Sequence, residues 1–211
     1  MTDFAQPLRE QDVEPDPLRQ FARWFGEAAK AGVRAPEAAA LATASASAAP
    51  SARIVLVKRF DNQGFAFYTN YESRKARELI ENPRAALVFH WDPLGRQVRV
   101  EGSVQRMSDQ ESATYVRSRP RGSQLSALVS PQSQVIASRE LLEQRVAELA
   151  ARYDDQELPL PDGWGGFVLT PGSFEFWQHR EDRLHDRLLY TRLGGGGGGG
   201  GGGWRLERLA P

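Results

Sequence analysis

The sequence predicts an α+β domain built on an antiparallel sheet or barrel, and three observations carry that prediction. Six or more short segments are rich in β-branched and aromatic residues and read as strands. The helical segments are inserted among them or appended, without the strict strand-helix alternation of a parallel βαβ sheet. No stretch repeats at a fixed period, which excludes a solenoid. At 211 residues the chain is long enough for one substantial domain and requires no second.

In chain order, EPDPLRQFARWFGEAAKAG reads as the first helix. Asp16 can cap it, Pro17 suits its first turn, Leu18, Phe21, Trp24 and Phe25 recur at helical spacing, and Gly32 is a stop. AAALATASASAAPSA holds few large apolar residues and stays open between helix and strand. RIVLVKRF reads as a buried strand, and GFAFYTN follows a turn signal at Asp61 to Gly64, so the two are expected to form a β-hairpin. SRKARELIEN is a short helix closed by Asn82-Pro83, followed by strands in RAALVFHW and RQVRVEGSVQRM. SDQESATYVRSR carries a capping box, Ser108 with Glu111, and stops before Pro120. SRELLEQRVAELAARY is a helix with Leu141, Leu142, Val146 and Leu149 along one side. GGFVLTP, SFEFWQ, DRLLYTR and WRLERLAP read as four closing strands. Residues 1–15 are expected to be a flexible lead and 16–211 a single domain. The ten glycines from Gly194 to Gly203 have no side chains to bury and read as a flexible excursion between the last two strands. They are no phosphate loop of the Gly-x-Gly-x-x-Gly kind, because no helix follows them.

Lys plus Arg equals Asp plus Glu at 27 each, so there is no global basic field of the kind that nucleic acid or an anionic membrane would select, and any basic site is local. The absence of cysteine removes disulfides, thiolate ligands and thiol nucleophiles together. No metal site is expected. The first residues, MTDFAQPLREQ, lack a basic start and an apolar core, and no apolar run approaches the ~20 residues of a membrane span, so a cytoplasmic protein is expected.

The local distribution of basic residues suggests anion chemistry. Ser73-Arg74-Lys75 opens a helix, where free N–H groups and the positive end of the dipole favour a phosphate; a capped helix with two solvated cations is the plainer alternative. Tyr115 and Arg119, four apart on one helix face, with Ser123 just beyond Pro120, could cradle a second phosphate. Arg53 and Lys58 flank the apolar run RIVLVK, and their spacing of five puts them on opposite faces of a regular strand. In REDRLHDRLLY, a strand would aim Arg183, His185 and Arg187 to one face and Leu184, Asp186 and Leu188 to the other; a solvated charged face would show the same pattern.

Beyond these local readings, RIVLVK, FYTNYESRKARELIENPRAALVF, RQVRVEG, YVRSRPRGSQLSALVSPQS, LPLPDGWGGF, FEFWQHREDRLHDRLLY and the terminal RLERLAP occur in an order that resembles the pyridoxamine (pyridoxine) 5′-phosphate oxidases, from about residue 16 to Pro211. The resemblance implies an FMN-binding split β-barrel. It also implies a cytoplasmic homodimer with FMN at the subunit interface, and oxidation of pyridoxamine or pyridoxine 5′-phosphate to pyridoxal 5′-phosphate with O₂ as acceptor and H₂O₂ as product. Carried over by residue, it assigns FMN to Arg53, Ile54, Val55, Leu56, Val57 and Lys58, to Tyr68, Thr69, Arg74 and Lys75, and to Gln97, Gln132, Ser133, Trp177 and Arg187. It assigns the substrate to Lys58, Tyr115, Arg119, Ser123, Arg183, Leu184 and His185, with Arg183 and His185 as the catalytic pair over the pyridine ring. The lead MTDFAQPLREQDVEP departs from the family in holding no Arg-Arg-Glu-Tyr-like sequence, and the glycine run lengthens the last hairpin. A related split-barrel oxidase of the phenazine-pathway type, or a protein that binds flavin or pyridoxal phosphate without turnover, would share much of this pattern.

Overall fold

Asp16 caps the first helix, α1 (Pro17–Lys30), its carboxylate accepting from the Leu18 amide at 2.9 Å, and the chain leaves α1 through Gly32 at φ +78°. In this computed structural model, which describes residues 7–154, 156–194 and 203–211, α1 turns Phe21 and Trp24 onto the inner face of an antiparallel sheet. Phe21 meets Phe65 and Phe89 edge-on with centroids 4.9 Å apart, and Trp24 meets Phe176 at 5.3 Å. These contacts fill the interior with aromatic area, the largest apolar payload per residue.

The sheet runs β2-β1-β5-β6-β7-β4-β3, with β8 and β9 continuing from β7. The alanine-rich stretch left open by its sequence is β1 (Ala38–Ala44), held on one side by β2 (Pro50–Leu56) and on the other by β5 (Arg84–Trp91). Two expectations are corrected at β2. It does not pair with GFAFYTN, and it is not buried: Arg53 lies opposite Leu41 of β1, while Ile54 is 67% exposed. The hairpin at Asp61 to Gly64 joins instead the short β3 (Arg59–Asp61) to β4 (Gly64–Asn70). The reason lies in the backbone between β2 and β3. The Val57 amide donates to the Glu37 carbonyl at 2.9 Å and the Lys58 amide to Ala66 at 2.8 Å, so the chain passes from the β1 side to the β4 side within two residues. That crossing joins the two ends of the strand path and curls the sheet toward a barrel.

β7 (Trp164–Gln178) unites two strands expected separately. Its first half pairs with β4, its second half with β8 (Asp186–Arg192), and β6 (Arg96–Arg106) follows it throughout, with a bulge at Glu101/Gly102. A side chain on Gly102 would sit 2.0 Å from the Thr170 carbonyl oxygen, so the bulge requires glycine. β9 (Trp204–Leu209) pairs with β8. Gly194 and Gly203 stand at the ends of this hairpin, with the Leu193 amide donating to Gly203; the flexible excursion expected between them falls on residues 195–202, outside the described residues.

Among the described residues four more helices flank the sheet: α2 (Arg74–Glu81), α3 (Asp109–Ser118), α4 (Arg121–Val129) and α5 (Arg139–Tyr153). The Ser108/Glu111 capping box of α3 is present with both of its hydrogen bonds. α4 was not anticipated: Pro120 ends α3 and also stands as N-cap of the next helix. None of the α5 residues is fully buried: Leu141, Leu142, Val146 and Leu149 are half-buried on a helix that packs against α4. From residue 7 onward, the lead expected to be flexible lies along β8 and β9: Leu8 is buried, its amide donates to Asp186, and Arg208 donates to both carboxylate oxygens of Glu10. No helix among the described residues is long and apolar enough to cross a membrane.

The alternating reading of residues 183–187 is also corrected. Glu181–Arg183 is a single 3-10 turn in the β7–β8 connection, Asp182 and Arg183 both have positive φ (54° and 62°), and β8 begins only at Asp186. The Arg180 amide donates to His185 Nδ1 at 3.1 Å and closes the loop, so Arg183 and His185 share no strand with Arg187. Hairpin closure outweighed the period-2 pattern, which holds only within an extended segment.

Candidate functional site

Ser73, the N-cap of α2, accepts from the Ala76 amide and lies among residues drawn from three elements. The Lys75 ammonium donates to Thr69 Oγ1 at the end of β4 (3.0 Å), to Gln132 Oε1 in the loop after α4 (3.1 Å) and to Ser73 Oγ (3.4 Å). All three acceptors are neutral. Burial, with Arg53 adding like-charge repulsion, lowers Lys75 to about 8. Arg53 reaches over from β2, donating to the Leu41 carbonyl, Thr43, Ser51 and Glu78.

Glu78, on the second turn of α2, is the hub of this network, and sequence reasoning missed it. Burial works to raise its carboxyl. Hydrogen bonds from Ser51 (2.5 Å), Thr43 (2.5 Å), Arg74 (2.8 Å) and Arg53 (3.3 Å) outweigh that effect and hold it at about 2. The available signal was an acid four residues after Arg74 on a short basic helix. Arg74 is therefore tied along its own helix, with its side chain 59% exposed, and does not reach the Lys75 acceptors.

A second group is aromatic. Tyr68 on β4 and Tyr115 on α3 stack with centroids 3.6 Å apart, and Trp164 at the start of β7 lies beside both rings in nearly the same plane orientation. Burial raises both phenols above their ordinary range. Arg119 is the extended C-cap of α3 and does not continue the helix, contrary to the expected shared helix face, yet it converges with Tyr115 because its guanidinium lies over the Trp164 ring at 4.5 Å. Its Nη1 is buried without a hydrogen-bond partner. Ser123 stands in the first turn of α4, close in sequence beyond it.

A third group lies on the outer face of β6, β7 and β8. Gln97, Trp177 and Arg187 are in register on the three strands, so their side chains share that face. His185 approaches Trp177 with ring centroids 4.6 Å apart. Arg187 donates to Glu175 at 2.9 Å and to the Ala210 carbonyl. Glu175 is 5% exposed and also meets Arg99 at 3.1 Å. Arg183 and Leu184 project from the turn, Leu184 being 71% exposed.

Other expected residues scatter. Ile54 and Leu56 face outward from β2, while Val55 packs partly on the core and Val57 is buried in it. Lys58 follows β2 and meets Glu37 at 3.7 Å, and Ser133, beside Gln132, has φ +70°. Among the described residues, no hydrogen bond, ion pair or ring contact joins the Lys75 and Tyr115 groups to the Trp177 group.

Solved structures share this architecture. PhzG from Burkholderia lata 383, in complex with tetrahydrophenazine-1-carboxylic acid, superposes with a TM-score of 0.87 at 31% identity, covering 100% of this chain and 97% of that one. A pyridoxamine 5′-phosphate oxidase-related, FMN binding protein from Nostoc punctiforme gives 0.69 at 17% identity, covering 94% and 100%. The curled antiparallel sheet shared with these structures thus defines a protein of the split-barrel class. Residues 25–153 match the family model described as pyridoxamine 5′-phosphate oxidase, and 164–211 the pyridoxine 5′-phosphate oxidase C-terminal dimerisation region. A pyridoxine/pyridoxamine 5′-phosphate oxidase of Rubrobacter xylanophilus is 54% identical over 204 residues, spanning 97% of this chain and 91% of the relative. A chloroplastic one of Arabidopsis thaliana is 50% identical, spanning 99% of this chain and 39% of the relative. The chain belongs to the pyridoxamine 5′-phosphate oxidase family, and the match to a dimerisation region supports a homodimer.

Proposed function

We propose that this chain is a pyridoxine/pyridoxamine 5′-phosphate oxidase that uses FMN, takes O₂ as acceptor and releases hydrogen peroxide. One observation carries the reading: a protein of zero net charge keeps two separate cationic positions whose local partners are not anions. Among the described residues Lys75 is held by neutral oxygens, and Arg119 has a buried nitrogen with no partner. Cofactor and substrate each carry a phosphate monoester, together roughly −3 to −4 of charge, and such dianions suit these two places. The chemistry of Arg53, Thr69, Ser73 and Lys75 at the start of α2 fits the FMN phosphate, with Gln132 and Ser133 beside it.

Bound FMN would supply the redox chemistry, accepting hydride from the substrate C4′ carbon and passing the electron pair to O₂. Tyr115, Arg119 and Ser123 anchor the substrate phosphate and so fix the pyridine ring. Arg183 covers the ring and stabilises charge that develops on it, and Lys58 and Leu184 complete the substrate's surroundings. His185 accepts at Nδ1 from the Arg180 amide, which leaves Nε2 to hold a polar substituent or carry a proton. Gln97, Trp177 and Arg187 form the opposite wall of the flavin site. Because, among the described residues, no hydrogen bond, ion pair or ring contact joins that wall to the Lys75 group, we place FMN at the dimer interface, between one protomer's α2 and its partner's outer sheet face.

The deciding measurement is peroxide release from the flavin-loaded protein with pyridoxine 5′-phosphate and with a tetrahydrophenazine carboxylic acid. The similarity to PhzG motivates the second substrate. Turnover of the first supports the proposal, turnover of only the second transfers the chain to the phenazine type, and no peroxide from either leaves a binding protein.

A further inference from the structure

The WGG of LPLPDGWGGF has no role in the site as assigned above, yet both of its glycines are demanded by rings or hydroxyls near the substrate phosphate position. A Cβ on Gly166 would lie 2.9 Å from Tyr68 Cε1 and 2.5 Å from Met107 Sδ, and a Cβ on Gly165 would lie 2.3 Å from the Tyr71 hydroxyl. The missing side chain at 166 is what lets the Tyr68 ring settle against β7. Tyr115 then stacks on Tyr68, and Trp164, two residues before Gly166 and on the same face of β7, takes the same orientation as both rings. Arg119 lies on the indole face at 4.5 Å.

Arg119 leaves α3 as its C-cap on extended backbone, its amide donating to the Val116 carbonyl at 3.2 Å, so its side chain departs from the helix face that carries Tyr115. Among the described residues its guanidinium meets no carboxylate, and one nitrogen is buried without a partner. What fixes it is the indole: a planar cation on an aromatic face is attracted by the ring quadrupole and loses its rotational freedom before any anion arrives. We propose that Trp164 is a positioning residue that presets Arg119 for the phosphate of the substrate. The inference rests on the assignment of that phosphate to Tyr115, Arg119 and Ser123. Trp164 itself touches neither the phosphate nor the reacting carbon. Its contribution is to substrate capture, so it enters KM and leaves kcat alone.

The test is steady-state kinetics of the flavin-loaded enzyme with pyridoxine 5′-phosphate, alongside the inhibition constant of inorganic phosphate and the bound flavin of each preparation. Trp164→Leu is expected to raise KM and the phosphate inhibition constant about tenfold, with kcat within about twofold and flavin content unchanged. Trp164→Phe, which keeps an aromatic face, is expected to restore both constants to within about threefold of the parent. Arg119→Gln is measured beside them. If Arg119→Gln raises KM while Trp164→Leu does not, the stacking is inert and the inference falls while the phosphate assignment stands. If Arg119→Gln leaves KM unchanged, the phosphate assignment falls and takes the inference with it. Should Trp164→Leu fail to fold, Arg119→Lys decides, since lysine keeps the charge and loses the planar stack. A KM as poor as that of Arg119→Gln supports preset stacking, and a KM like the parent's overturns it.

Discussion

Two residues of α2 are buried with opposite outcomes: burial prevails at Lys75, and hydrogen bonds prevail over burial at Glu78. Lys75, lowered to about 8 from its ordinary 10.5, pays a penalty for its charge in the folded chain; that penalty is in place below about 8 and disappears as pH rises from there toward 10.5. A phosphate dianion binds the charged form. The affinity of flavin-free protein for FMN, followed by fluorescence quenching, should therefore fall as pH rises through about 8. Lys75→Met should weaken binding roughly tenfold and flatten that profile. An unaltered profile would remove Lys75 from the phosphate site. Glu78 runs the other way: held at about 2, it contributes stability that is complete above its ordinary 4.5 and is lost as pH falls toward 2. Glu78→Ala should cost about 3–5 kcal/mol in urea unfolding at neutral pH, because Arg53 loses its carboxylate, and the deficit should shrink across that acid window. A deficit that stays constant with pH would mean that lost packing, and not the ion pair, accounts for it.

Among the elements, α1 stakes most of its stability on one aromatic stripe. Trp24→Ala should lower stability by about 3–5 kcal/mol, read from thermal or urea unfolding, since its ring is 2% exposed and meets Phe176 edge-on and Arg96 by its guanidinium. The β7–β8 connection stakes function instead. Arg183 lies on an exposed turn, so Arg183→Leu should leave the flavin spectrum and melting temperature nearly unchanged while lowering kcat/KM for pyridoxine 5′-phosphate. Arg187 lies four residues on, inside β8, and neutralises buried Glu175. Arg187→Leu should loosen FMN and lower stability together. Equal flavin loss in both variants would assign the whole connection to the cofactor and leave the substrate to Tyr115 and Arg119 alone.

At the scale of the whole molecule, the outer face of β2 and the side of α5 await cover. Ile54 is 67% and Leu56 44% exposed, and the α5 leucines are only half-buried by their own chain. A homodimer matched by its dimerisation region would cover apolar surface of this kind. Ile54→Lys should shift the protein from dimer toward monomer in light scattering and lower its retained flavin in parallel, because one protomer holds only one wall of the proposed FMN site. A monomer that keeps its flavin and turns over substrate would refute that placement.

The sequence by itself determined what depends on neighbours close along the chain. The caps at Asp16, Ser73 and Ser108, the aromatic stripe of α1 and the strands RAALVFHW and DRLLYTR are written in local pattern, and the run of family motifs carried the oxidase reading. The basic positions at Lys75 and Arg119 could be suspected from their residue types, but their partners could not. Glu78 serves Arg53 from 25 residues away and Gln132 serves Lys75 from 57, distances no periodicity spans. Only tertiary structure decided that RIVLVK is an edge strand, since an apolar run looks the same whether its own barrel or a second chain covers it. It alone decided that Arg183 and His185 sit on a turn, because hairpin closure by the β7–β8 ladder sets where extended backbone ends. And it alone brought Trp164 under Arg119, a meeting of a strand start and a helix end that are neighbours only once the sheet has curled.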